Sequence, residues 1–451
     1  MSTISQMRKH GLFESRVPRY TSYPTANHFD GTVGPFEMAE FLGDVRSGSE
    51  ISLYLHIPFC RRLCWFCACR TQGTATAAPV DTYVATLCRE IEMIRDRLPP
   101  NIKLSRLHWG GGTPTLLEPD TIKVLAATIG EAFPFSEGAE FSVEIDPNEI
   151  DDARMDALAA AGMTRASIGV QDFNPDIQAI IGREQGFDLT KRVVDGLRAR
   201  DIESLNVDVL YGLPSQTKAH ISDSVQRVLS LSPDRVALYG YAHVPWMARR
   251  QALIPTDLLP RPEERMALFE TAARLFQWDG YLDVGIDHFA RETDGLAIAM
   301  KAGQLRRNFQ GYTDDQSEVL LALGASSISK FPGGFAQNQP ATSKWSAAIG
   351  ARQFATSRGI RLTDDDRLRG GAIEMLMCEF GIDYARLADR LGMPVARIEK
   401  LVAPLVEEYP DAVVFGSGGI TILPEARPMT RLIAQALDAW EVKSSGHSLA
   451  I

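Results

Sequence analysis

The feature that most constrains the fold of this chain is a repeated alternation between short β-rich runs and segments with helical spacing. The runs are SLYLHIP from Ser52, LSRLHWG from Leu104, EFSVEID from Glu140, RASIGVQ from Arg165, SLNVDVLYG from Ser204, RVALYGYAH from Arg235 and YLDVGIDHF from Tyr281. Such alternation predicts parallel strands joined by helical crossovers. Several runs are apolar nearly throughout, which indicates strands covered by helices. The expected fold class is therefore α/β, as a partial or full (β/α) barrel, with a doubly wound open sheet as the alternative.

The two ends of the chain do not show this alternation of strands and helices. Residues 1–35 lack it and are expected to form an N-terminal arm laid over the barrel, which we place at residues 36–360. Beyond it, RLTDDDRLRGGAIEMLMCEF, DYARLADRLG and RIEKLVAPLVEEY predict helices, and AVVFGSGGITIL predicts a hairpin with a Gly-rich turn. We therefore predict a small, mainly helical C-terminal domain at residues 361–451.

Four of the six cysteines lie in one short segment, which reads Cys60-Arg-Arg-Leu-Cys64-Trp-Phe-Cys67-Ala-Cys69. Clustered cysteines in an intracellular protein indicate metal or redox chemistry rather than structural disulfides. Zinc sites usually show two separated ligand pairs, whereas this segment packs its thiols into one loop after a strand. Iron–sulfur clusters usually take four cysteines, so three ligands would leave one iron open to a substrate. The sequence alone leaves open which three bind iron, and the 3–2 spacing favours Cys60, Cys64 and Cys67.

A glycine run and three polar residues lie at the ends of other predicted strands. The run Gly110-Gly111-Gly112 is by itself typical of a tight strand-to-helix turn, and glycine also lets backbone carbonyls approach a ligand's ammonium group. The polar residues are Glu144, Gln171 and Asp208. Each alone is more often a cap or an ion-pair partner, but the carboxyl ends of barrel strands converge on one face where active sites form. Together they predict a site for ribose hydroxyls and an ammonium group.

The overall charge and hydropathy exclude two classes of partner. The formal net charge of −10 disfavours nucleic-acid binding, which usually requires a basic surface. No apolar run reaches the roughly 20 residues of a membrane helix, and the N-terminus lacks the apolar core of a secretory signal. We expect a cytoplasmic protein that binds neither nucleic acid nor a membrane.

The cysteine loop resembles that of the radical S-adenosylmethionine (SAM) superfamily. Within it, the chain resembles the oxygen-independent coproporphyrinogen III oxidases of heme biosynthesis. The blocks that carry this resemblance run from the N-terminal arm to about residue 330: RYTSYPTA, HIPFC, HWGGGTPT, GVQDFN, NVDVLYGLP, YAH, GIDHFAR and RRNFQGYT. One departure is Ala68, where the family more often has glycine between the last two cysteines.

The resemblance implies a [4Fe–4S] cluster held by Cys60, Cys64 and Cys67, with two SAM molecules beside it. The residues implied around the cluster-bound SAM are Tyr54, Gly111, Glu144 and Ile328. Those implied around the second SAM are Phe66, Gly112, Thr113, Gln171, Arg183, Asp208 and Ala242. The catalytic residues stay unknown, and the candidates are Tyr54, Cys69, Phe309 and Gln310.

The implied activity is oxidative decarboxylation of two propionates of coproporphyrinogen III to vinyl groups, which gives protoporphyrinogen IX. The implied partners are this substrate and a reducing protein such as a flavodoxin or ferredoxin, and the family is usually monomeric. Because the substrate carries four carboxylates, positive charge must be supplied locally. The arginines inside or beside the family blocks are Arg19, Arg61, Arg62, Arg70, Arg291, Arg306 and Arg307.

Three alternatives stay open on the sequence. A heme-binding trafficking protein of the same superfamily would share the three-cysteine loop, but it is expected to lack both the RYTSYPTA arm and Cys69. A zinc-stabilised interaction module would leave the strand-end motifs without a purpose. A heme-degrading radical enzyme is disfavoured by the motif match along the whole barrel.

Overall fold

The computed structural model describes residues 3–416, 418–440 and 449–450. The first part of the chain forms a helix in the N-terminal arm, a second helix, and then the alternating strands and helices of the barrel. In chain order these are α1 (Thr3–Lys9), α2 (Pro35–Gly43), β1 (Glu50–Ile57), β2 (Phe59–Cys60), β3 (Gln72–Gly73), α3 (Ala78–Arg97), β4 (Lys103–Gly111), α4 (Pro119–Ala132), β5 (Phe135–Ile145), α5 (Asp152–Ala160), β6 (Arg165–Gln171), α6 (Pro175–Ile181), α7 (Phe187–Arg198), β7 (Ser204–Tyr211), α8 (Lys218–Ser230), β8 (Arg235–Gly240) and α9 (Pro262–Trp278).

Short strands and helices then complete the sheet and form the C-terminal part. They are β9 (Leu282–Val284), β10 (His288–Ala290), α10 (Gly295–Lys301), β11 (Arg306–Asn308), β12 (Gly311–Thr313), β13 (Leu320–Leu323), β14 (Ile328–Phe331), β15 (Gly334–Asn338), α11 (Thr342–Gly350), β16 (Thr356–Arg361), α12 (Asp364–Glu379), β17 (Gly381–Asp383), α13 (Tyr384–Leu391), α14 (Val395–Glu408), β18 (Val413–Gly416), β19 (Gly419–Ile422) and α15 (Thr430–Gln435). Short 3-10 helices lie at Ala26–His28, Pro114–Leu116, Pro147–Glu149, Arg249–Leu253, Thr256–Leu258 and Pro424–Met429.

The central sheet has twelve strands in the order β16-β15-β14-β13-β1-β4-β5-β6-β7-β8-β10-β9. All neighbours from β13 to β8 are parallel, and the strands beyond them are antiparallel. From β1 to β8 the spatial order follows the chain without reversing, as in a barrel, whereas a doubly wound sheet reverses at a switch point. The two edges, β16 and β9, do not pair with each other. The fold is therefore a partial (β/α) barrel, and the prediction of an α/β barrel is confirmed.

The run YLDVGIDHF is not the single parallel strand that its apolar pattern predicts. It forms the antiparallel hairpin β9–β10, and β10 pairs antiparallel with β8. The physical reason lies at Gly285, which has φ +57° and leaves no room for a Cβ beside the Tyr312 ring. A left-handed residue at this position breaks the extended run in two.

The N-terminal arm and the C-terminal helices share one apolar core. Met7 and Phe13 of the arm are buried with Leu376 of α12 and Ile398 of α14. Burying a side chain of this size contributes about 1.5–3 kcal/mol, which holds the arm against these helices. The arm also touches the barrel, because Arg19 Nη2 donates to the carbonyl oxygen of Gly240 over 2.8 Å. The limits of the three predicted domains stay predictions.

The predicted C-terminal helices and the β18–β19 hairpin are present. The short strand β17 pairs with β19 and adds a third strand to this hairpin. None of the helices in the described part of the chain is both long and apolar enough to cross a membrane.

Candidate active site

The cysteine loop follows the carboxyl end of β1, and its two ends pair with each other. Its stem is the parallel pair β2–β3, in which Phe59 faces Gln72 and Cys60 faces Gly73. The stem is extended where Thr74 N–H donates to the Cys60 carbonyl oxygen over 3.0 Å. The residues between the two strands carry the other three thiols, so the stem holds four cysteines at the end of one barrel strand.

The loop is fixed to the rest of the barrel from two sides. Trp65 N–H donates to Ile181 O over 2.9 Å, and the Trp65 ring packs so closely on Gly182 that a Cβ there would lie 3.0 Å from it. On the other side, Arg250 Nη2 donates to the Cys69 carbonyl oxygen over 3.3 Å. The loop is thus held between α6 and the segment after β8.

The four thiols differ in their protonation because their surroundings differ. Hydrogen bonds from the Cys69 thiol and from the Cys69 N–H (3.4 Å) lower the pKa of Cys67 to about 6, although burial opposes this. The same thiol–thiol bond raises the pKa of Cys69 well above its ordinary value. Burial raises the pKa of Cys60 to about 11 and also raises that of Cys64. Since the thiolate is the metal-binding form, the lowered pKa of Cys67 suits an iron ligand.

The donor set suits a cluster better than a single ion. Three cysteine sulfurs in one loop can each bind a different iron of a cluster, the usual use of clustered thiolates. Within the described residues, no three His, Cys, Asp or Glu side chains converge closely enough to hold one metal ion. A zinc ion would require its ligands at about 2.3 Å from one centre. Three closely spaced thiols in one loop therefore fit a [4Fe–4S] cluster.

The glycine run lets the end of β4 pass directly against the stem of the cysteine loop. Gly111 has φ +109°, and a Cβ there would overlap the His56 ring. A Cβ on Gly112 would lie 2.5 Å from the Phe59 carbonyl oxygen and 2.8 Å from that of Ile57. Gly112 N–H donates to this same Ile57 oxygen over 2.8 Å. Because only glycine allows this approach, the run and the stem form one packed unit.

Glu144, on β5, lies beside the glycine run as an ionised carboxylate. Gly111 N–H donates to its Oε2 over 3.0 Å, and His108 Nε2 lies 3.4 Å from its Oε1. Burial alone would raise the pKa of Glu144, but these contacts lower it. The Tyr54 ring stacks on His108 with centroids 5.6 Å apart. The Glu144 side chain keeps 40% of its surface exposed, so an ammonium or hydroxyl group can reach it.

Asp208, on β7, lines the inside of the barrel together with Glu144. Burial raises its pKa to about 6, against the hydrogen bond of 2.9 Å that Asn206 Nδ2 donates to it. Both carboxylates line a cavity of about 150 Å³ that His288 and Gln310 also reach. Asn206 was not identified from the sequence, although it lies two residues before Asp208 and therefore on the same face of the strand.

Arg183 is not the surface charge that an ordinary helix position would suggest. It is 9% exposed, and its guanidinium joins the ends of two strands. Nη1 lies 3.2 Å from Asp146 Oδ2 and Nη2 donates to Gly169 O over 2.9 Å. Nη1 also lies 3.7 Å from Cys64 Sγ. Gln171, at the end of β6, has φ +70°, so its side chain leaves the strand direction at the same place.

Phe66 and Ala242 are joined by a residue that the sequence did not single out. The buried Gln251 donates from Nε2 to Phe66 O over 2.7 Å and to Ala242 O over 3.0 Å. Its Oε1 accepts from Val244 N–H over 2.6 Å. Gln251 lies in the short 3-10 helix Arg249–Leu253 between β8 and α9, where no sequence pattern predicts burial.

Two of the predicted residues lie in a separate apolar cluster. Ile328, on β14, packs partly buried against the cluster of Phe29, Phe335 and Ile360, as does Phe309. Phe309 contacts Phe335 edge-on with centroids 5.9 Å apart. The predicted role of Ile328 beside the cluster-bound SAM stays a prediction, and its described contacts are with this cluster.

Several of the arginines noted from the sequence face solvent or a local acid. Arg61, Arg62 and Arg70 are exposed on the cysteine loop. Arg291 pairs with Asp279 at 2.8 Å. These contacts give no common site.

Arg19 and Arg307, which are distant in sequence, lie close together in the structure. Arg306, next to Arg307 in sequence, instead pairs with Glu374 at 3.4 Å, whereas Arg307 is buried. Arg307 Nη2 donates to Arg19 O over 3.5 Å, and its guanidinium lies 4.4 Å from the centre of the Tyr312 ring.

Comparison with known proteins agrees with this geometry. The family profile "Radical SAM superfamily" matches residues 54–228. The oxygen-independent coproporphyrinogen III oxidase of Paracoccus denitrificans is 56% identical over 451 residues, which cover all of both chains. That of Escherichia coli is 38% identical over 94% of this chain and 93% of its own. The solved structure of the Escherichia coli coproporphyrinogen III oxidase, described as a radical SAM enzyme, superposes with a TM-score of 0.89 at 35% identity over 94% of this chain and 98% of that one.

Proposed function

Because this chain belongs to the oxygen-independent coproporphyrinogen III oxidases of the radical SAM superfamily, we propose that it converts coproporphyrinogen III to protoporphyrinogen IX. Each of two propionates loses one hydrogen atom, one carbon dioxide and one electron, and a vinyl group remains. The observation that carries this proposal is the loop of three thiols packed against the glycine run and Glu144 at the carboxyl ends of the barrel strands.

Cys60, Cys64 and Cys67 would hold the cluster, and one iron would stay open for SAM. Bound there, the cluster would supply the electron that cleaves SAM, and with it the radical chemistry that removes a hydrogen atom from the substrate. The chain's own residues position the reactants and exclude water, because the cofactor performs the difficult bond cleavage.

We assign the SAM beside the glycine run to Glu144 and Tyr54. The ionised Glu144 carboxylate offers an acceptor for ribose hydroxyls or an ammonium group, and its contact with Gly111 N–H fixes its direction. Tyr54 OH lies 3.1 Å from His56 Nδ1, which orients the phenol at the end of β1. Ile328 completes this proposed set.

A second SAM would lie toward β6, β7 and the segment after β8. Arg183 is buried among strand ends and can pair with a carboxylate through its planar fork. Gln251 donates hydrogen bonds to the carbonyl oxygens of both Phe66 and Ala242. These two residues would therefore contact a ligand from fixed backbone positions. The remaining members of this proposed set are Gly112, Thr113, Gln171 and Asp208.

Cys69, Phe309 and Gln310 stay candidates for the reaction itself. Cys69 keeps its proton beside Cys67, so it offers a neutral thiol rather than an iron ligand. Gln310 lines the same cavity as Glu144 and Asp208. We further propose a cytoplasmic, monomeric enzyme that receives electrons from a flavodoxin or ferredoxin, with the exposed Arg61 and Arg62 near the cluster available to an acidic donor.

The competing functions predict different chemistry. A heme-trafficking protein would bind heme without decarboxylating coproporphyrinogen III, and the RYTSYPTA arm and Cys69, which it is expected to lack, are both present. The hydrogen-atom step tests the proposal directly. Coproporphyrinogen III deuterated at the propionate β-carbons should transfer deuterium to 5′-deoxyadenosine under anaerobic, reducing conditions. Unlabelled 5′-deoxyadenosine formed alongside unchanged substrate would contradict the proposed reaction.

A further inference from the structure

A second cavity, of about 220 Å³, lies between the barrel and the C-terminal helices. Its distinguishing feature is an excess of guanidinium groups from the arm, α9, β11 and α15, and we call it the arginine cavity. Five arginines line it, and the four that define it are Arg19, Arg265, Arg307 and Arg431; the fifth, Arg427, is exposed and lies over the Phe380 ring at 4.5 Å. The defining four come from four separate stretches of sequence, so only the folded chain brings them together.

Two of these arginines are buried with guanidinium N–H groups that have no hydrogen-bond partner in the described structure. Arg265 is 8% exposed, its Nε has no hydrogen-bond partner in the described structure, and it lies over the Tyr211 ring at 5.8 Å. Arg307 is also 8% exposed, with Nε and Nη1 likewise lacking partners among the described residues. A buried guanidinium with unsatisfied N–H groups is costly, and an anion in the cavity would satisfy them.

In the described part of the chain, the other two arginines donate their hydrogen bonds to backbone oxygens. Arg431 donates to the carbonyl oxygens of Val17 and Pro18 over 2.8 Å and 3.2 Å. Burial, followed by the nearby Arg19 and Arg307, lowers the pKa of Arg431 to about 9. It still carries its charge at neutral pH.

Among the carboxylates that line the cavity, Asp287 attracts Arg19, Arg307 and Arg431, so the guanidinium groups outnumber the carboxylate that acts on them. Asp287 Oδ1 lies 2.8 Å from His288 Nδ1. Asp283 accepts two hydrogen bonds, of 3.0 Å and 2.8 Å, from Gln277 Nε2. Glu270 is exposed at the rim.

The size and the walls of the cavity limit which ligands can fit it. Its volume is below the roughly 300 Å³ of the smallest drug-sized pockets, so it suits carboxylate arms rather than a whole tetrapyrrole. Phe269, Phe289 and Ile286 provide apolar walls. His288 lines both this cavity and the barrel cavity that contains Glu144 and Asp208. The two cavities therefore adjoin at His288, which places the arginines next to the barrel interior.

We propose that the arginine cavity is a carboxylate site that binds the propionate groups of the substrate that are not reacting. This inference rests on the proposed function, because that function supplies a substrate with four carboxylates. In this proposal Arg19, Arg265, Arg307 and Arg431 neutralise the substrate carboxylates. The sequence offered seven candidate arginines for that role. Arg265 and Arg431 were not among those seven.

The test compares Arg265→Met and Arg307→Met with Arg274→Met in the cluster-loaded enzyme under anaerobic conditions. Arg274 lies on the same helix as Arg265 and is exposed, so it is a matched control. The KM for coproporphyrinogen III should rise about tenfold or more in the two cavity variants, because charge-assisted bonds to a carboxylate are lost. Arg274→Met should stay within about twofold of the parent.

A second readout separates charge recognition from general damage. The tetramethyl ester of coproporphyrinogen III has the same rings without the charges, and its inhibition constant should not change in the cavity variants. Arg265→Lys, which keeps the charge but loses the planar fork, should give an intermediate KM and serves if Arg265→Met does not fold. Iron content reports whether each variant keeps its site.

The outcomes are distinguishable. If the parent enzyme converts the substrate and both cavity variants keep its KM, the arginine site is wrong while the proposed function stands. An equal change in KM and in the ester's inhibition constant would also overturn the charge-specific role. If the parent cleaves SAM without converting coproporphyrinogen III, the proposed function fails and this inference fails with it.

Discussion

Replacing Gly112 by alanine should loosen the cysteine loop from the barrel. The added methyl group would lie 2.5 Å from Phe59 O and 2.8 Å from Ile57 O, and backbone atoms on both sides cannot turn away as a side chain would. Two hydrogen bonds cross this contact, from Gly112 N–H to Ile57 O over 2.8 Å and from Thr113 N–H to Phe59 O over 2.7 Å.

The cost follows from these contacts. Overpacking costs about 1–3 kcal/mol, and two weakened hydrogen bonds cost about 0.5–1.5 kcal/mol each. The local opening free energy should therefore fall by about 2–6 kcal/mol, which is roughly a 30-fold to 10⁴-fold faster exchange of these amides. Iron retention should fall too, because Cys60 directly follows the displaced segment.

Hydrogen–deuterium exchange of the cluster-free protein, read on a peptide that spans the glycine run, measures this change. Gly130→Ala in α4 is the matched control, because a Cβ there meets nothing within 4 Å and alanine stabilises a helix by about 0.5–1 kcal/mol relative to glycine. Unchanged protection of the glycine run in Gly112→Ala, with iron content equal to that of the parent, would refute the packing argument.

Three further sets of substitutions test separate parts of the site and its support. Serine at any one of the three predicted iron ligands, Cys60, Cys64 and Cys67, should abolish the cluster absorbance, whereas Cys69→Ser should keep it; retention of an intact cluster in any of the first three would show the assignment to be wrong. Glu144→Gln should raise the KM for SAM about 10-fold to 100-fold, because a charge-assisted hydrogen bond is lost; an unchanged KM would remove Glu144 from the SAM site. Burial raises the pKa of Glu90 to about 7 from its ordinary 4.5, so the folded state holds this proton more tightly and stability should fall as pH rises between these values. Glu90→Gln should flatten that slope in urea unfolding, and an equally steep slope would contradict this account of Glu90.

Much of the barrel could be predicted because its strands are buried and covered by helices. Runs such as SLNVDVLYG match a single strand, β7, almost residue for residue. The hairpin β9–β10 could not be predicted from its apolar pattern, since the break depends on the left-handed Gly285 packed beside the Tyr312 ring. That contact joins residues distant in sequence, which periodicity cannot show.

The candidate site divides in the same way. The cysteines and the glycine run are local motifs, so spacing was sufficient to identify them. Arg265 and Gln251 carry no local signal, because each acquires its role only when separate segments meet. Arg265 looks like a helix surface residue in the sequence, yet it is 8% exposed at the end of the barrel.

The most direct test of the central claim is anaerobic turnover of the cluster-loaded protein with a reductant, SAM and coproporphyrinogen III. The expected products are protoporphyrinogen IX with one carbon dioxide and one 5′-deoxyadenosine for each propionate converted, and therefore two of each per product. Formation of 5′-deoxyadenosine without carbon dioxide or vinyl product would contradict the proposed reaction.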